Sequence, residues 1–328
     1  MNIQEIYKLG IKMGIEADFR SKKQIDHLLS RANEKFKNLS KEEKEYFDQE
    51  RLTNPYPDTS IQFNNGIKNI KRVMVGIDID PAELMIARYL SDQNPKKPVD
   101  LVICHHPIGK SLADLGEVMP MMVDLLHMRG IPVNVAEGIL KERIDQVEKN
   151  LHANNHYQVV DAARLLNMSL MNVHTPADNL SAQFVEKEIE KRGPMYVNEV
   201  IKALLEIPEY KEYAKRSGGP KVFAGSESNR AGKIAATEFA GGTSYNAKMY
   251  QKLADAGIGT IISMHQSEEN RKEAQASHIN VIVAGHLASD SLGMNLFLDE
   301  LEKKGIEIIP CGGFIRVSRV KNEKNKKK

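Results

Sequence analysis

The sequence predicts an α/β fold. Short apolar runs typical of buried strands alternate with longer stretches in which apolar residues recur every three or four positions, as in amphipathic helices. Four of the apolar runs end directly in histidine, and half of the 10 histidines lie at such positions. Because open α/β sheets bind ligands beyond the carboxyl ends of their strands, these histidines are the first candidates for a functional site.

The composition is that of a soluble globular protein large enough for two domains, with 328 residues, 41% of them hydrophobic and 27% charged. Much of the net charge of +2 lies in the lysine-rich tail 321–328, which we expect to be disordered. The near-neutral body and the absence of tryptophan disfavour nucleic-acid binding. Two cysteines in apolar runs, no signal-like N-terminus and no apolar run of ~20 residues predict a cytoplasmic protein without a membrane segment.

Residues 1–54 are predicted to form a helical N-terminal extension. An apolar stripe covers one helix face, but the segment is otherwise highly charged. We expect an appended helical hairpin that packs on the body or on a neighbouring subunit. The turn-rich segment Asn54–Asp58 marks the boundary with the body.

Residues 55–193 are predicted to form a first α/β region. Its first two strands flank a helix that begins at Asp80-Pro81, which gives a strand–helix–strand unit and so a parallel pair. A later helix is capped by Ser181 and ends before Gly193-Pro194. The predicted strands are 72–78, 101–104, 131–136 and 169–173, and the predicted helices are 81–91, 118–129, 141–166 and 181–192.

Residues 194–320 are predicted to form a second α/β region. Its first two strands look like a pair joined across a glycine-containing loop, and strands and helices then alternate. The predicted strands are 221–224, 233–239, 259–264, 280–284 and 307–310, and the predicted helices are 245–256, 267–277 and 289–304.

The histidines at strand ends suggest a metal site. Histidine is the commonest metal ligand at neutral pH, and a strand end holds it rigidly. One such histidine is more often a satisfied structural residue, but four strands that end in the same way favour a shared role. The residues concerned are His105, His106, His174, His265 and His286.

Two carboxylates follow these histidines at a spacing of four. Asp178 comes after His174, and Asp290 comes after His286 at the start of a predicted helix. Residues four apart lie on one helix face, so His286 and Asp290 can reach one metal. Helix capping is the competing explanation for Asp290, because an acid is also favourable near a helix N-terminus.

The ligand types limit the metal. Histidine and carboxylate without thiolate suit Zn, Fe, Mn or Co better than a structural cysteine-type zinc site. The adjacent residues His105 and His106 diverge along the backbone, so they can bind two different ions. A carboxylate between them would complete a dinuclear centre with ions ~3.5–4 Å apart.

The three segments Asp100–Pro107, His174–Asp178 and Ala284–Asp290 resemble motifs of one known family, the GTP cyclohydrolase I type 2 or Nif-three-like (NGG-one-interacting-factor) proteins, which have a dinuclear metal centre. Residues Asp100–Pro107 are similar to the first metal segment of that family. Residues His174–Asp178 look like the segment that holds its bridging aspartate, and Ala284–Asp290 look like its last metal segment. The resemblance runs from Ile70 to Val317.

The resemblance implies a fold and a ligand set. The fold would be two intertwined α/β domains with mixed sheets and the metal site between them, assembled as a homohexamer. Two divalent metal ions per subunit would be bound by His105, His106, Asp178, His286 and Asp290. Asp290 stands where the family usually has glutamate, which shortens this ligand by one methylene and changes the geometry.

The resemblance also implies a metal-dependent hydrolase. The expected substrate is a small molecule, with nucleotides, phosphoesters and purine rings as candidates, attacked by water activated at the metals. His265 and His174 are candidates for proton transfer, with a structural alternative for His265 and a supporting role favoured for His174. A metal-stabilised regulatory or binding scaffold without turnover is the alternative function.

Overall fold

A computed structural model describes residues 1–242 and 244–320, and it confirms the α/β fold predicted from the sequence. The tail 321–328, predicted to be disordered, lies outside the described residues. The strands are β1 Ile61–Phe63, β2 Arg72–Gly76, β3 Leu101–Cys104, β4 Leu170–Asn172, β5 Lys221–Ala224, β6 Lys233–Ala236, β7 Ile258–Ser263, β8 Asn280–Val283 and β9 Glu307–Cys311.

Helices cover both sheets. They are α1 Ile3–Ala17, α2 Lys22–Asn38, α3 Lys41–Tyr46, α4 Pro81–Gln93, α5 Lys110–Ala113, α6 Met121–Met128, α7 Val133–His152, α8 Gln158–Leu165, α9 Thr175–Arg192, α10 Val197–Leu205, α11 Pro208–Ser217, α12 Met249–Asp255, α13 Glu268–Ala276 and α14 His286–Lys303. No helix among the described residues has the length and apolar character needed to cross a membrane.

The described strands form two mixed sheets of similar design. The first has the order β1-β4-β3-β2-β9 and the second the order β5-β8-β7-β6. In each sheet one edge strand, β1 or β5, is antiparallel and the other strands are parallel. The carboxyl ends of the parallel strands therefore share one edge in each sheet.

The chain crosses between the sheets twice. Helix α9 follows β4 of the first sheet and leads towards the second, and α14 follows β8 of the second sheet and leads to β9 of the first. The two helices cross at close range, since a Cβ atom on Gly293 would lie 2.1 Å from the carbonyl oxygen of Ala177. This crossing brings the beginnings of α9 and α14 to the same place.

Helix α1 is part of the body. Its apolar stripe lies in the core, and Gly14 allows close contact with Pro176 of α9, where a Cβ atom would come within 2.6 Å. Of the two alternatives for the N-terminal segment, packing on the body is therefore the one observed for α1.

The predicted strand 131–136 is wrong, because helix α7 begins at Val133. Pro132 precedes the first turn with a φ of −58°, which suits a helix start, and the buried residues Ala136 and Leu140 continue a helical spacing. The predicted helix 141–166 is two helices, α7 and α8, with the break in the polar segment 153–157.

The predicted pairing of strands 221–224 and 233–239 is also wrong. β5 pairs with β8 and β6 pairs with β7, so these two strands are the opposite edges of the second sheet. Ser181 does not cap a helix, because α9 begins at Thr175-Pro176 and Ser181 is buried within it. Strand β1 and helices α10 and α11 were not predicted.

Candidate metal centre

All five histidines predicted from strand ends meet between the two sheets. The first sheet contributes His105 and His106 after β3 and His174 after β4, and the second contributes His265 after β7 and His286 after β8. Neighbouring ring centroids lie 5.0 Å (His105–His174), 5.3 Å (His105–His106), 5.2 Å (His106–His286) and 5.1 Å (His265–His286) apart. The histidines form one continuous cluster.

Asp290 lies inside this cluster on the first turns of α14. Its side chain is 1% exposed, and its oxygens lie 3.6 Å from Nε2 of His105, 3.5 Å from Nε2 of His106 and 3.5 Å from Nε2 of His286. The N-cap of α14 is Gly285, without a side-chain cap hydrogen bond. The capping explanation for Asp290 therefore does not hold.

Asp178, on the first turns of α9, faces the cluster from the first sheet. Its oxygens lie 3.4 Å from Nε2 of His105 and 3.8 Å from Nε2 of His174. Neither Asp178 nor Asp290 has a hydrogen bond to either carboxylate oxygen within the described part of the chain, and Nε2 of His105 has none either. Buried polar atoms are seldom left without a partner.

These distances suit ligands that share a cation. They exceed the range of an ordinary N–H···O bond. Ligands placed ~2.1 Å from a tetrahedral zinc lie about 3.4 Å from one another, which is close to the observed separations. The buried His/Asp cluster can therefore bind metal ions.

Two ligand groups can be distinguished among the described residues. One contains His105, His174 and Asp178, and the other contains His105, His106 and Asp290. His174, which the sequence suggested as a supporting residue, thus has the position of a possible ligand. His286 lies at the edge, with a side chain that is 44% exposed.

The outer nitrogens of three imidazoles in the cluster are each fixed by an oxygen acceptor. Nδ1 of His106 lies 2.7 Å from Oδ1 of Asp78, and Nδ1 of His174 lies 2.8 Å from Oδ2 of Asp58. Nδ1 of His105 lies 2.9 Å from the carbonyl oxygen of Val173. When each Nδ1–H donates to its acceptor, Nε2 is left to face the cluster, as in metal sites whose histidines are oriented by carboxylates.

Asp58 and Asp78 were not predicted as functional residues from the sequence. Asp58 belongs to the turn-rich segment Asn54–Asp58, which marks the predicted boundary, and nothing local indicates its contact with His174. Asp78 had a usable signal, because it follows the buried strand β2 almost directly and β2 is parallel to β3.

The electrostatics of the cluster favour positive charge. Burial opposes a charged imidazole, but the carboxylates of Asp290 and Asp178 raise the pKa of His105 well above its usual value. For His106 burial is again outweighed, and Asp290 and Asp78 raise its pKa to about 9. Burial would raise the pKa of Asp290, but the surrounding histidines lower it. The same carboxylates would attract a metal cation.

His265 differs from the other histidines. Burial and the neighbouring His286 lower the pKa of His265, which favours the neutral form of its imidazole. Its Nδ1 lies 2.8 Å from Oγ of Ser244. With Nδ1–H donated to Ser244, Nε2 can accept a proton. A cavity of about 250 Å³ lies among His265, His286, His106 and Asp178, and it gives a small molecule access to the cluster.

Comparison with solved structures identifies the fold. A NIF3 superfamily protein from Sphaerobacter thermophilus is 25% identical, with a TM-score of 0.72, and the match covers 95% of this chain and 98% of that chain. Reduced HcgD from Methanocaldococcus jannaschii is 15% identical, with a TM-score of 0.48 and coverage of 82% and 94%. TTHA1606 from Thermus thermophilus is 13% identical, with a TM-score of 0.45 and coverage of 81% and 92%. No family model and no curated protein matches the sequence.

The fold and the site define the class as a mixed α/β protein with a buried His/Asp cluster that can bind metal ions. The match to the NIF3 superfamily structure extends over nearly the whole of both chains. The fold of the chain is therefore Nif3-like, and the family resemblance predicted from its three motifs is confirmed.

Proposed function

We propose that this protein binds two divalent metal ions, from among Zn, Fe, Mn and Co, and is a metal-dependent hydrolase. One observation carries the proposal: two buried carboxylates face imidazole nitrogens at metal-ligand spacing and have no hydrogen bond of their own within the described residues. Such buried charge needs a cation. The proposed ligands are His105, His106, Asp178, His286 and Asp290, with His174 beside them.

Residues around the proposed ligands would have separate roles in such a site. Two divalent ions bound there would supply an activated water and polarise an electrophile. Asp78 and Asp58 hold the imidazoles of His106 and His174 in fixed orientations, which keeps the ligand geometry rigid. His265 offers a neutral imidazole at the edge of the cavity and would accept a proton as general base.

We further propose a nucleotide, phosphoester or purine-ring compound as substrate, because anionic or polarisable groups are what paired divalent ions bind and activate. The family resemblance supports a homohexamer, which sedimentation would test. The division into 1–54, 55–193 and 194–320, and the cytoplasmic location, stay predictions from the sequence.

The test combines metal analysis with turnover. We expect about two metal ions per chain after reconstitution with Mn, Zn or Fe, and hydrolysis of at least one member of a nucleotide and phosphoester panel. His105→Ala should lower both the metal content and the turnover. His265→Ala should keep the metal content and reduce turnover by about 10²-fold or more, the usual size of a general-base effect.

His27→Ala is the matched control, because His27 is exposed on α2 and lies outside the cluster. This variant should keep both metal and activity. Full activity in the His105→Ala and His265→Ala variants would show that the proposed site is not the active site. Two bound metals without turnover on any substrate would favour the scaffold alternative.

A further inference from the structure

A groove of about 350 Å³ adjoins the cavity at the metal centre. The two spaces share Met264, His265 and His286 in their walls. A ligand held at the histidines can therefore extend into the groove. A space of this size lies within the range of small-molecule sites.

The sheet topology places Lys221 beside the histidines. Strand β5 is antiparallel to β8, and its first residue, Lys221, pairs with Val283 at the end of β8. Lys221 is thus at the sheet edge where His265 and His286 emerge from the ends of β7 and β8. Phe223 lies two residues further along β5, at an irregularity in the pairing between Val222 and Ala224. Both side chains line the groove.

Lys221 is available for a ligand. Its side chain is exposed and forms no ion pair or hydrogen bond in the region that the structure describes. Gln266, also in the groove wall, has a buried side-chain oxygen without a hydrogen-bond partner among the described residues. An unpaired ammonium in a concave surface is a ready contact for an anionic group.

Two aromatic rings form apolar walls of the groove. Phe223 is 41% exposed, so its ring is open to a ligand in the groove. The ring of Tyr213 lies against Gly285, where a Cβ atom would come within 2.7 Å of Cε1 and where φ is +114°. Only glycine fits there, so Tyr213 is held directly beside His286. Aromatic faces favour contact with another flat ring.

We propose that the groove is a substrate subsite for a planar ring that carries an anionic substituent. The ring would lie against Phe223 and Tyr213, and the anionic group would contact Lys221. The reacting group would be at the metals, so this inference rests on the proposed function. Lys221 and Phe223 then determine specificity and take no part in the chemical step.

Two probes that are not hydrolysed test the subsite. Benzylphosphonate supplies a ring and a metal-binding phosphonate, and 4-carboxybenzylphosphonate adds an anionic group to the ring. We expect the metal-loaded protein to bind the carboxylated probe about three- to fivefold more tightly, the usual size of an exposed ion pair. Lys221→Met should remove this difference. Phe223→Ala should weaken the binding of both probes about fivefold.

Lys233→Ala is the matched control, because Lys233 is an exposed lysine at the first position of β6 and lies at the opposite end of the same sheet. It should leave both affinities unchanged. Equal affinities of the two probes, or a preference that survives in Lys221→Met, would overturn the subsite. Metal analysis of the same samples separates this outcome from failure of the proposed function, which would appear as missing metal.

Discussion

Oδ1 of Asp78 lies 2.7 Å from Nδ1 of His106, and this contact decides which nitrogen of the imidazole faces the cluster. The hydrogen bond to His106 lowers the pKa of Asp78, so Asp78 is a carboxylate at neutral pH. Nε2 of His106 is then directed to Asp290, 3.5 Å away. Asp78 therefore positions a proposed ligand without belonging to the ligand set.

We expect Asp78→Ala to weaken metal binding by about 10- to 100-fold, because the imidazole of His106 loses the acceptor that fixes its orientation. Competition with a chelating dye would measure the affinity. Asp80→Ala is the control, since Asp80 is exposed and lies only two residues away. An unchanged affinity in Asp78→Ala would show that the contact does not orient a ligand.

Asp290 should be the most sensitive carboxylate of the cluster, since it faces three imidazole nitrogens. We expect Asp290→Asn to reduce the metal content to less than one ion per chain. Metal at 100 times its Kd should stabilise the wild-type protein against unfolding by about 2.7 kcal/mol for each ion bound, and most of this gain should disappear in the variant. Thermal unfolding with metal or with chelator would measure it.

Asp299→Asn is the matched control for this experiment. Asp299 is a second buried carboxylate on α14, but it pairs with Arg316 and not with the histidines. It should lower stability and leave the metal content unchanged. If Asp299→Asn lost metal to the same degree, the effect of Asp290→Asn would reflect general damage to α14.

Local sequence was sufficient to predict the strands that carry the site and the residues at their ends. Leu101–Cys104 is buried on both faces, and such strands appear in sequence as continuous apolar runs. The strand 131–136 was wrong because Val133 and Val135 favour strands, whereas Pro132 and the packing of Ala136 select a helix. Strand propensity is a weak predictor where tertiary contacts determine the local structure.

Contacts between distant segments could not be predicted from the local sequence. The partner of β5 is β8, about 60 residues later in the chain, and no nearby residue indicates it. The contact of Asp58 with His174 joins residues separated by 116 positions. The cluster itself was predictable because the carboxyl ends of parallel strands meet at one edge of every α/β sheet, whatever the local sequence. The carboxylates that orient the histidines depend instead on individual long-range contacts.

Gly293 should be essential for the crossing of α9 and α14. A Cβ atom there would lie 2.1 Å from the carbonyl oxygen of Ala177, next to Asp178. We expect Gly293→Ala to destabilise the protein by about 1–3 kcal/mol or more, as overpacking does, and to weaken metal binding because the two helices must separate. Denaturant unfolding and metal titration would measure both effects.

Gly138 is the matched control, a glycine within helix α7 that has no atom within 4 Å of its would-be Cβ. Gly138→Ala should stabilise the protein by about 0.5–1 kcal/mol, the usual gain in a helix interior. If Gly293→Ala behaved like Gly138→Ala, the two helices would not be in close contact at this point.

The free energy of unfolding should depend on pH through Glu238, independently of the metal ligands. Burial raises its pKa to about 7, although the amide N–H of Tyr245 and the hydroxyl of Tyr250 donate hydrogen bonds to its carboxylate. Its backbone φ is +58°, an unusual value for a residue other than glycine. It lines the cavity at the metal centre.

In the unfolded chain Glu238 should titrate near its ordinary pKa of about 4.3. The folded protein therefore holds this proton more tightly, and its contribution to stability is complete below pH 4.3 and is lost as the pH rises through about 7. Relative to Glu238→Gln, which does not titrate, the wild-type protein should lose about 3 kcal/mol of unfolding free energy between pH 4.5 and pH 8. Denaturant unfolding of both proteins at several pH values measures the difference. Parallel pH profiles would mean that Glu238 keeps an ordinary pKa in the folded protein and that its carboxylate is solvated.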